Sequence, residues 1–434
     1  MKQMKDSGID WVGCIPEEWN VHPVKYAFSE IKNKNTDGIV RNALKFFNGT
    51  IIPKSNFDAE TDEYVAETIT NYTIVDPETI MINGLNLNYD LKSLRVGLVK
   101  EKGIITSAYL ALKPDKTKIS PRYATYLFKG YESKMAFHNM GEGIRKTLGF
   151  KEFKKQPVLF PNMNEQIKIV DYLDCQCAHI ETTIERIKAS IEEYKKLRQA
   201  VITQAVTKGV RGDRTMKDSG IEWIGEIPEE WDIAKIKIGV SKVGSGKTPL
   251  GGAETYSSEG VLFLRSQNIY DTGLNLDDPT YISQEIDEEM KNTRVYPNDV
   301  LLNITGGSIG RCCIFPTTLK CANVNQHVSI IRVIEAVFTP DYMKYYWNSY
   351  VGKLSIALYQ TGGNREGMSA EAIKNSPIMV LPVSEQKEIT SYLDQKCAEI
   401  DALISKKELF LLELEDYQKA LIYEYATGKK ELTS

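Results

Sequence analysis

Gly244-Ser245-Gly246-Lys247-Thr248 is a short run that could hold phosphate, because glycine-bounded backbone amides and a lysine ammonium suit a nucleotide's phosphates. The full pattern GxxxxGK[ST] requires glycine at 241, where the chain has Ser241. Pro249 biases Thr248 away from the helix that should follow. Nucleotide binding is therefore disfavoured. Neither NPPY nor DPPY occurs, so the acidic-aromatic motif of an amino-methyltransferase is missing. The four histidines (His22, His138, His179, His327) show no pairing of the kind hydrolytic catalysis uses. The seven cysteines (Cys14, Cys175, Cys177, Cys312, Cys313, Cys321, Cys397) contain no CxxC pair, so neither a zinc site nor a disulfide framework is expected. No catalytic residue and no metal ligand is proposed from these patterns.

What remains are polar side chains able to form paired hydrogen bonds with base edges. They cluster in loops: Arg265-Ser266-Gln267-Asn268 and Asn323 to His327, with Asn325 and Gln326, in the second half, and Asn83 to Asn88, with Asn86 and Asn88, in the first. Gly143-Ile144-Arg145-Lys146 answers Gly363-Asn364-Arg365-Glu366, a glycine-led turn carrying an arginine before a short helix that ends at Pro157 or Pro377. Taken singly, such residues are ordinary turn and cap formers. Their clustering makes Arg145, Lys146, Asn86, Asn88, Arg95, Arg265, Gln267, Asn268, Asn325, Gln326, Asn364 and Arg365 candidate DNA contacts.

The elements that position them follow from a repeat. Met4–Trp19 and Met216–Trp231 are identical at 13 of 16 positions at an offset of 212. Gly and Pro punctuate these tryptophan-bearing boxes, which reads as a packed loop. A second block starts where Glu165-Gln166 follows Pro161, matched by Glu385-Gln386 after Pro382, and from the Glu-Gln pair onward it runs without a gap at an offset of 220. Ile180, Ile184, Ile187 and Ile191 follow the 4,3 spacing of a coiled-coil seam, with Ile400, Ile404, Leu411, Leu414 and Leu421 in the same register. Arg198, Gln418 and Lys407 also occupy seam positions, which suits a register-setting helix pair within a bundle. A break near Asp174 or Asp394 would shorten each helix.

Ser120-Pro121 and Thr339-Pro340 each predict an N-cap and a helix start. Apolar runs at Ile80 to Ile82, Val96 to Val99, Ile104 to Leu112, Val261 to Leu264, Val300 to Ile304, Cys312 to Phe315 and Val328 to Val333 predict strands. The organisation expected is a box at 1–19, a head at 20–160, helix and linker at 161–215, a second box at 216–231, a second head at 232–381 and a final helix at 382–434. The fold class is α/β or α+β heads alternating with long helices, internally duplicated about a pseudo-twofold axis with the helices antiparallel.

Composition fits a globular chain: 434 residues, 42% hydrophobic and 26% charged. No apolar run approaches membrane-helix length and none resembles a signal peptide, so a cytoplasmic protein is expected. The net charge of -4 is unlike a self-sufficient DNA-binding domain. Residues 20–164 nonetheless carry 21 Lys+Arg against 15 Asp+Glu, whereas residues 232–384 carry 14 against 15. Any nucleic-acid surface must then be local, with partner subunits helping to neutralise phosphates.

The order of KDSGIEWIGEIPEEW, GKTP, TGGSIG and PxxEQ leading into a long helix resembles the specificity subunits of type I restriction-modification systems, across essentially the whole chain. The resemblance implies two target-recognition domains, each reading half of a split site in double-stranded DNA. It also implies paired helices that set the spacing and bind two methyltransferase subunits. Such a subunit is not itself an enzyme and binds no cofactor. S-adenosylmethionine, ATP and Mg belong to the partners, which methylate adenine and, with restriction or translocase subunits, cut DNA. The first head lacks a clear GKTP or TGGSIG, and Arg95-Val96-Gly97-Leu98 stands only near the place of Ile309-Gly310-Arg311-Cys312. A non-enzymatic coiled-coil scaffold is the alternative, which the divergence of the two heads disfavours.

Overall fold

The computed structural model describes residues 3–54, 69–89, 94–140, 146–360 and 367–432. It divides into two compact units, residues 1–188 with 409–434 and residues 189–408. Each unit takes one box, one head and part of both long helices, which span Met163–Lys208 and Val383–Ala426. Both helices are continuous, with no break to shorten them near Asp174 or Asp394. Those aspartates accept hydrogen bonds from the Tyr126 and Tyr345 hydroxyls at 2.7 and 2.6 Å and leave the helical backbone intact.

Within the first unit the helix segments run antiparallel: Tyr172 meets Tyr425 with ring centroids 4.5 Å apart, and the Gln418 amide donates to Glu181 at 3.4 Å. Within the second, Arg198 pairs with Asp401 at 2.9 Å and Lys407 lies 5.5 Å from the Tyr194 ring. The seam follows the 4,3 register. Ile180 and Leu421 are buried, and Ile184, Ile187, Leu411 and Leu414 half-buried, in the first unit; Ile191 and Ile400 are buried and Ile404 half-buried in the second.

The boxes are hairpins rather than loops. Met4–Asp6 pairs with Cys14–Pro16 and Met216–Asp218 with Glu226–Pro228, both antiparallel. The Asp6 and Asp218 carboxylates cap the turns by accepting from the Gly8 and Gly220 amides, both 3.0 Å away, with those glycines at φ 69° and 75°.

The heads share an antiparallel four-stranded sheet, and the second head adds a mixed one in the order Tyr281–Ile282, Val261–Leu264, Ala322–Val324, Arg294–Val295, whose middle pair is parallel. In the first head the shared sheet's order is Phe28–Glu30, Leu110–Pro114, Ile80–Ile82, Val96–Leu98; in the second, Val240–Ser245, Val328–Val333, Val300–Asn303, Cys312–Ile314. The expected strand from Ile104 to Leu112 is two strands, Gly103–Ile105 and Leu110–Pro114, divided by a turn in which the Tyr109 amide donates to the Thr106 carbonyl. The sheet's register aligns the heads where their sequences do not: the Asn83 amide donates to the Arg95 carbonyl as the Asn303 amide does to that of Arg311. Arg95 therefore occupies the position of Arg311.

The predicted helices Pro121–Ser133 and Pro340–Asn348 cover the shared sheets, with Ser120 and Thr339 accepting from the amides of Tyr123 and Tyr342. Each core joins a sheet, its covering helix and both long-helix segments of its unit. In the first, Phe128 and Leu112 share a cluster with Leu173 and Ile422; in the second, Trp347 and Leu302 share one with Leu393 and Ile202. Among the described residues no helix is long and apolar enough to cross a membrane.

Candidate nucleic-acid interface

The two heads are seated on their helices by the same set of buried polar contacts, and these explain the Glu-Gln pair. Trp19 donates its indole N–H to Glu165 at 3.0 Å, and Trp231 donates to Glu385 at 3.2 Å, so the glutamate satisfies the single polar atom of a buried tryptophan. The fully buried Gln166 accepts from the Ser120 amide at 2.7 Å and donates to the carbonyls of Lys118 and Pro161. Gln386 likewise accepts from Thr339 at 2.8 Å and donates to Val337 and Leu381. The first turn of each long helix thus holds both the box and the N-cap of the head's own helix. Tyr345 sits against Asp394; burial first, and that carboxylate second, push its phenol well above the ordinary range.

On this frame the second head gathers four of the polar motifs. Gly246 packs so closely on the Val324 and Asn325 carbonyls that a Cβ would collide with both, and the Lys247 amide donates to the Val324 carbonyl at 3.0 Å. Thr248 is followed by the four-residue 3-10 helix Gly252–Thr255 and by no α-helix before Gln284–Glu289, so the strand-loop-helix geometry of a phosphate-binding loop is not formed and the nucleotide reading is set aside. The glycine is instead there for loop packing. Asn303 donates to the Ser266 carbonyl at 2.8 Å and to the Ser308 hydroxyl at 3.1 Å, tying TGGSIG to the Arg265–Asn268 turn. Gly306 and Gly310 hold φ of 74° and 83°. The Lys353 ammonium closes the loop on the Gly310 carbonyl and lies 3.5 Å from Asp271.

The candidate contacts fall into three groups. Gln267, Gln326, Asn86 and Asn88 are exposed, with Asn86 at φ 52°, and Arg265 is half-buried, lying 5.7 Å from the Tyr256 ring and donating to Thr280. Lys146 is half-buried, and its carbonyl accepts from the Leu87 amide, which brings it beside the Asn83–Asn88 loop. Arg95, Asn268 and Asn325 face inward. The fully buried Arg95 guanidinium donates to the carbonyls of Asn83 and Leu85. Asn268 accepts from the Arg265 amide and donates to the Asn275 carbonyl, and Asn325 accepts from the His327 amide. These three shape loops from within. Arg145, Asn364 and Arg365 lie outside the described residues.

A hydrogen-bonded chain joins Thr248, Gln326, His327 and Thr305, and no sequence motif marks it. Thr248 donates to the Gln326 amide oxygen, the amide nitrogen meets His327 Nε2 at 3.2 Å, and His327 Nδ1 meets Thr305 Oγ1 at 2.6 Å. His327 had only its polar loop neighbours to mark it, since Thr248 and Thr305 are distant in sequence. Among the described residues no group of His, Cys, Asp and Glu could hold a metal ion. The buried Cys313 thiol is pushed up to about 12 by desolvation, which suits packing rather than reactivity.

The profile of the family described as "Type I restriction modification DNA specificity domain" matches residues 94–193 and 228–410. The specificity subunit of the type I restriction enzyme MjaVIII from Methanocaldococcus jannaschii is 23% identical, covering 96% of this chain and 93% of its own. That of EcoBI from Escherichia coli is 22% identical over 70% of this chain and 64% of its own. A chain from a structural account of complex assembly and conformational transition in the type I R-M system superimposes with a TM-score of 0.70 at 14% identity, covering 96% of this chain and 99% of that one. The HsdS subunit from Thermoanaerobacter tengcongensis gives 0.50 at 14% identity, over 96% and 98%.

Proposed function

Because the chain belongs to the type I restriction modification DNA specificity family, we propose that it is the non-catalytic subunit that selects DNA sequence for a type I restriction-modification complex. Each head reads one half of a bipartite site, and the long helices set the spacing and dock two methyltransferase subunits. Those partners bring S-adenosylmethionine for adenine methylation. Restriction subunits bring ATP and Mg for cleavage.

The observation that carries this reading is a repeated frame bearing unlike loops. The Trp-Glu and Gln-to-cap contacts are the same in both units, whereas the loop chemistry at matching positions differs. Recognition of two different half-sites needs that combination, since side chains read sequence at base edges while contacts to phosphates carry no sequence information. The charge balance of residues 20–164 and 232–384 leaves much of the phosphate neutralisation to the partners.

Mapping methylated adenines in the genome with and without this gene tests the proposal. A two-part methylated motif should vanish with the gene. Replacing residues 232–381 by another head should change one half of that motif. Methylation unchanged by deletion, or a swap that alters both halves, counts against it.

A further inference from the structure

We propose that Gln326 reads an adenine in one half-site, and that His327, held by Thr305, is the positioning residue fixing which way round the amide is presented. This rests on the DNA-specificity reading above and names a reader within it. With the Gln326 amide nitrogen facing His327 and its oxygen facing Thr248, the donor count sets the tautomer. An amide nitrogen can only donate, so His327 Nε2, 3.2 Å away, accepts. A neutral imidazole carries one N–H, so His327 Nδ1 bears it and donates to Thr305 Oγ1 at 2.6 Å. Thr248 donates to the Gln326 oxygen from the opposite side. The exposed amide keeps one N–H and one oxygen lone pair, which is the complement of adenine's N7 and N6 amino group in the major groove.

Thr305 is itself fixed, being bridged to Gly367, with the Ile304 amide donating to the His327 carbonyl at 2.9 Å. Three loops therefore agree on one orientation of one side chain. The first head shows that this chemistry is added to the frame: by the register of the paired strands, Ser107 and Ala108 stand at the places of Gln326 and His327. There Ser107 accepts from the Thr73 hydroxyl, and no amide is presented. The backbone is shared and the reader is not.

The test uses the full chain assembled with its methyltransferase subunits and a duplex library varied at every position of the methylated motif. Gln326→Ala should relax one A·T position by about tenfold and leave the others unchanged. Thr305→Val and His327→Phe, which keep shape but remove the relay, should relax the same position. Thr305→Ser, which keeps the hydroxyl, should retain discrimination. Relaxation by Gln326→Ala without relaxation by Thr305→Val and His327→Phe overturns the positioning role. Relaxation at a G·C position, at all positions equally, or nowhere overturns the reading of adenine. A wild-type complex with no sequence preference would instead sink the DNA-specificity reading, so the two failures are distinguishable.

Discussion

Trp231 donates its indole N–H to Glu385 at 3.2 Å, and the same carboxylate receives the Arg214 guanidinium at 2.5 Å, with Arg214 lying 5.5 Å from the Trp231 ring. One buried glutamate on the first turn of a long helix thereby joins the box, the linker and the helix of its unit. The hydrogen bond to Glu385, foremost among the causes, raises the Arg214 guanidinium above its ordinary value.

Glu385→Ala should destabilise the protein by about 1–3 kcal/mol, because it leaves the buried Trp231 indole N–H without its acceptor and the half-buried Arg214 guanidinium with Glu230 alone. Chemical denaturation followed by tryptophan fluorescence reads this directly. A loss below 1 kcal/mol would show that the pair is not what seats the box.

A second expectation concerns pH. Burial first, opposed by the Arg95 amide, pushes the Glu132 carboxyl up to about 7. A raised folded value means that its contribution is fully present below the unfolded value near 4.5 and is lost as pH rises through 7. Wild-type stability should therefore fall between pH 4.5 and 7 relative to Glu132→Gln, by a few kcal/mol at most. Parallel stability curves for the two proteins across that window would contradict it.

Gly246→Ala should lower stability by about 1–3 kcal/mol and weaken DNA binding, since the Cβ would meet two carbonyls of the loop that carries Gln326. ATP should not bind the isolated chain at all. Saturable binding of ATP in calorimetry would restore the phosphate-loop interpretation.

Arg145→Ala and Arg365→Ala are expected to weaken target methylation while the complex keeps its mass. A base-reading arginine relaxes one position, whereas a phosphate contact weakens all sequences alike and lowers the salt dependence. Unchanged affinity for both variants would remove the glycine-led turns from the interface.

Charged replacements of Ile184, Ile191, Leu411 or Leu414 should disrupt assembly before altering which bases are read. Light scattering of the purified complex reports this, and an intact complex carrying Ile191→Glu would contradict it.

The long helices and their register were legible because the copies keep one spacing over many residues, and the caps at Ser120 and Thr339 because each precedes a proline at the first helical position. The Glu-Gln pair was legible as a landmark but not as a joint, because Trp19 lies 146 residues from Glu165. Arg95 looked like a DNA contact since arginine is charged, yet burial and two carbonyls make it a loop brace. The correspondence of Arg95 with Arg311 was hidden by the longer loop that precedes Arg95 and emerged only from strand pairing.

The interleaving of helix segments also fixes an order of completion. The second unit is one continuous stretch, 189–408, whereas the first lacks part of its core until 409–434 exists. Until then Gly130 has no helix backbone to pack against, because its partner is Tyr423, and the buried Tyr123 hydroxyl has no acceptor, because that is the Ala426 carbonyl. During synthesis the half of the protein made first must therefore be the half finished last, its apolar surface open for the whole time the other half is being translated.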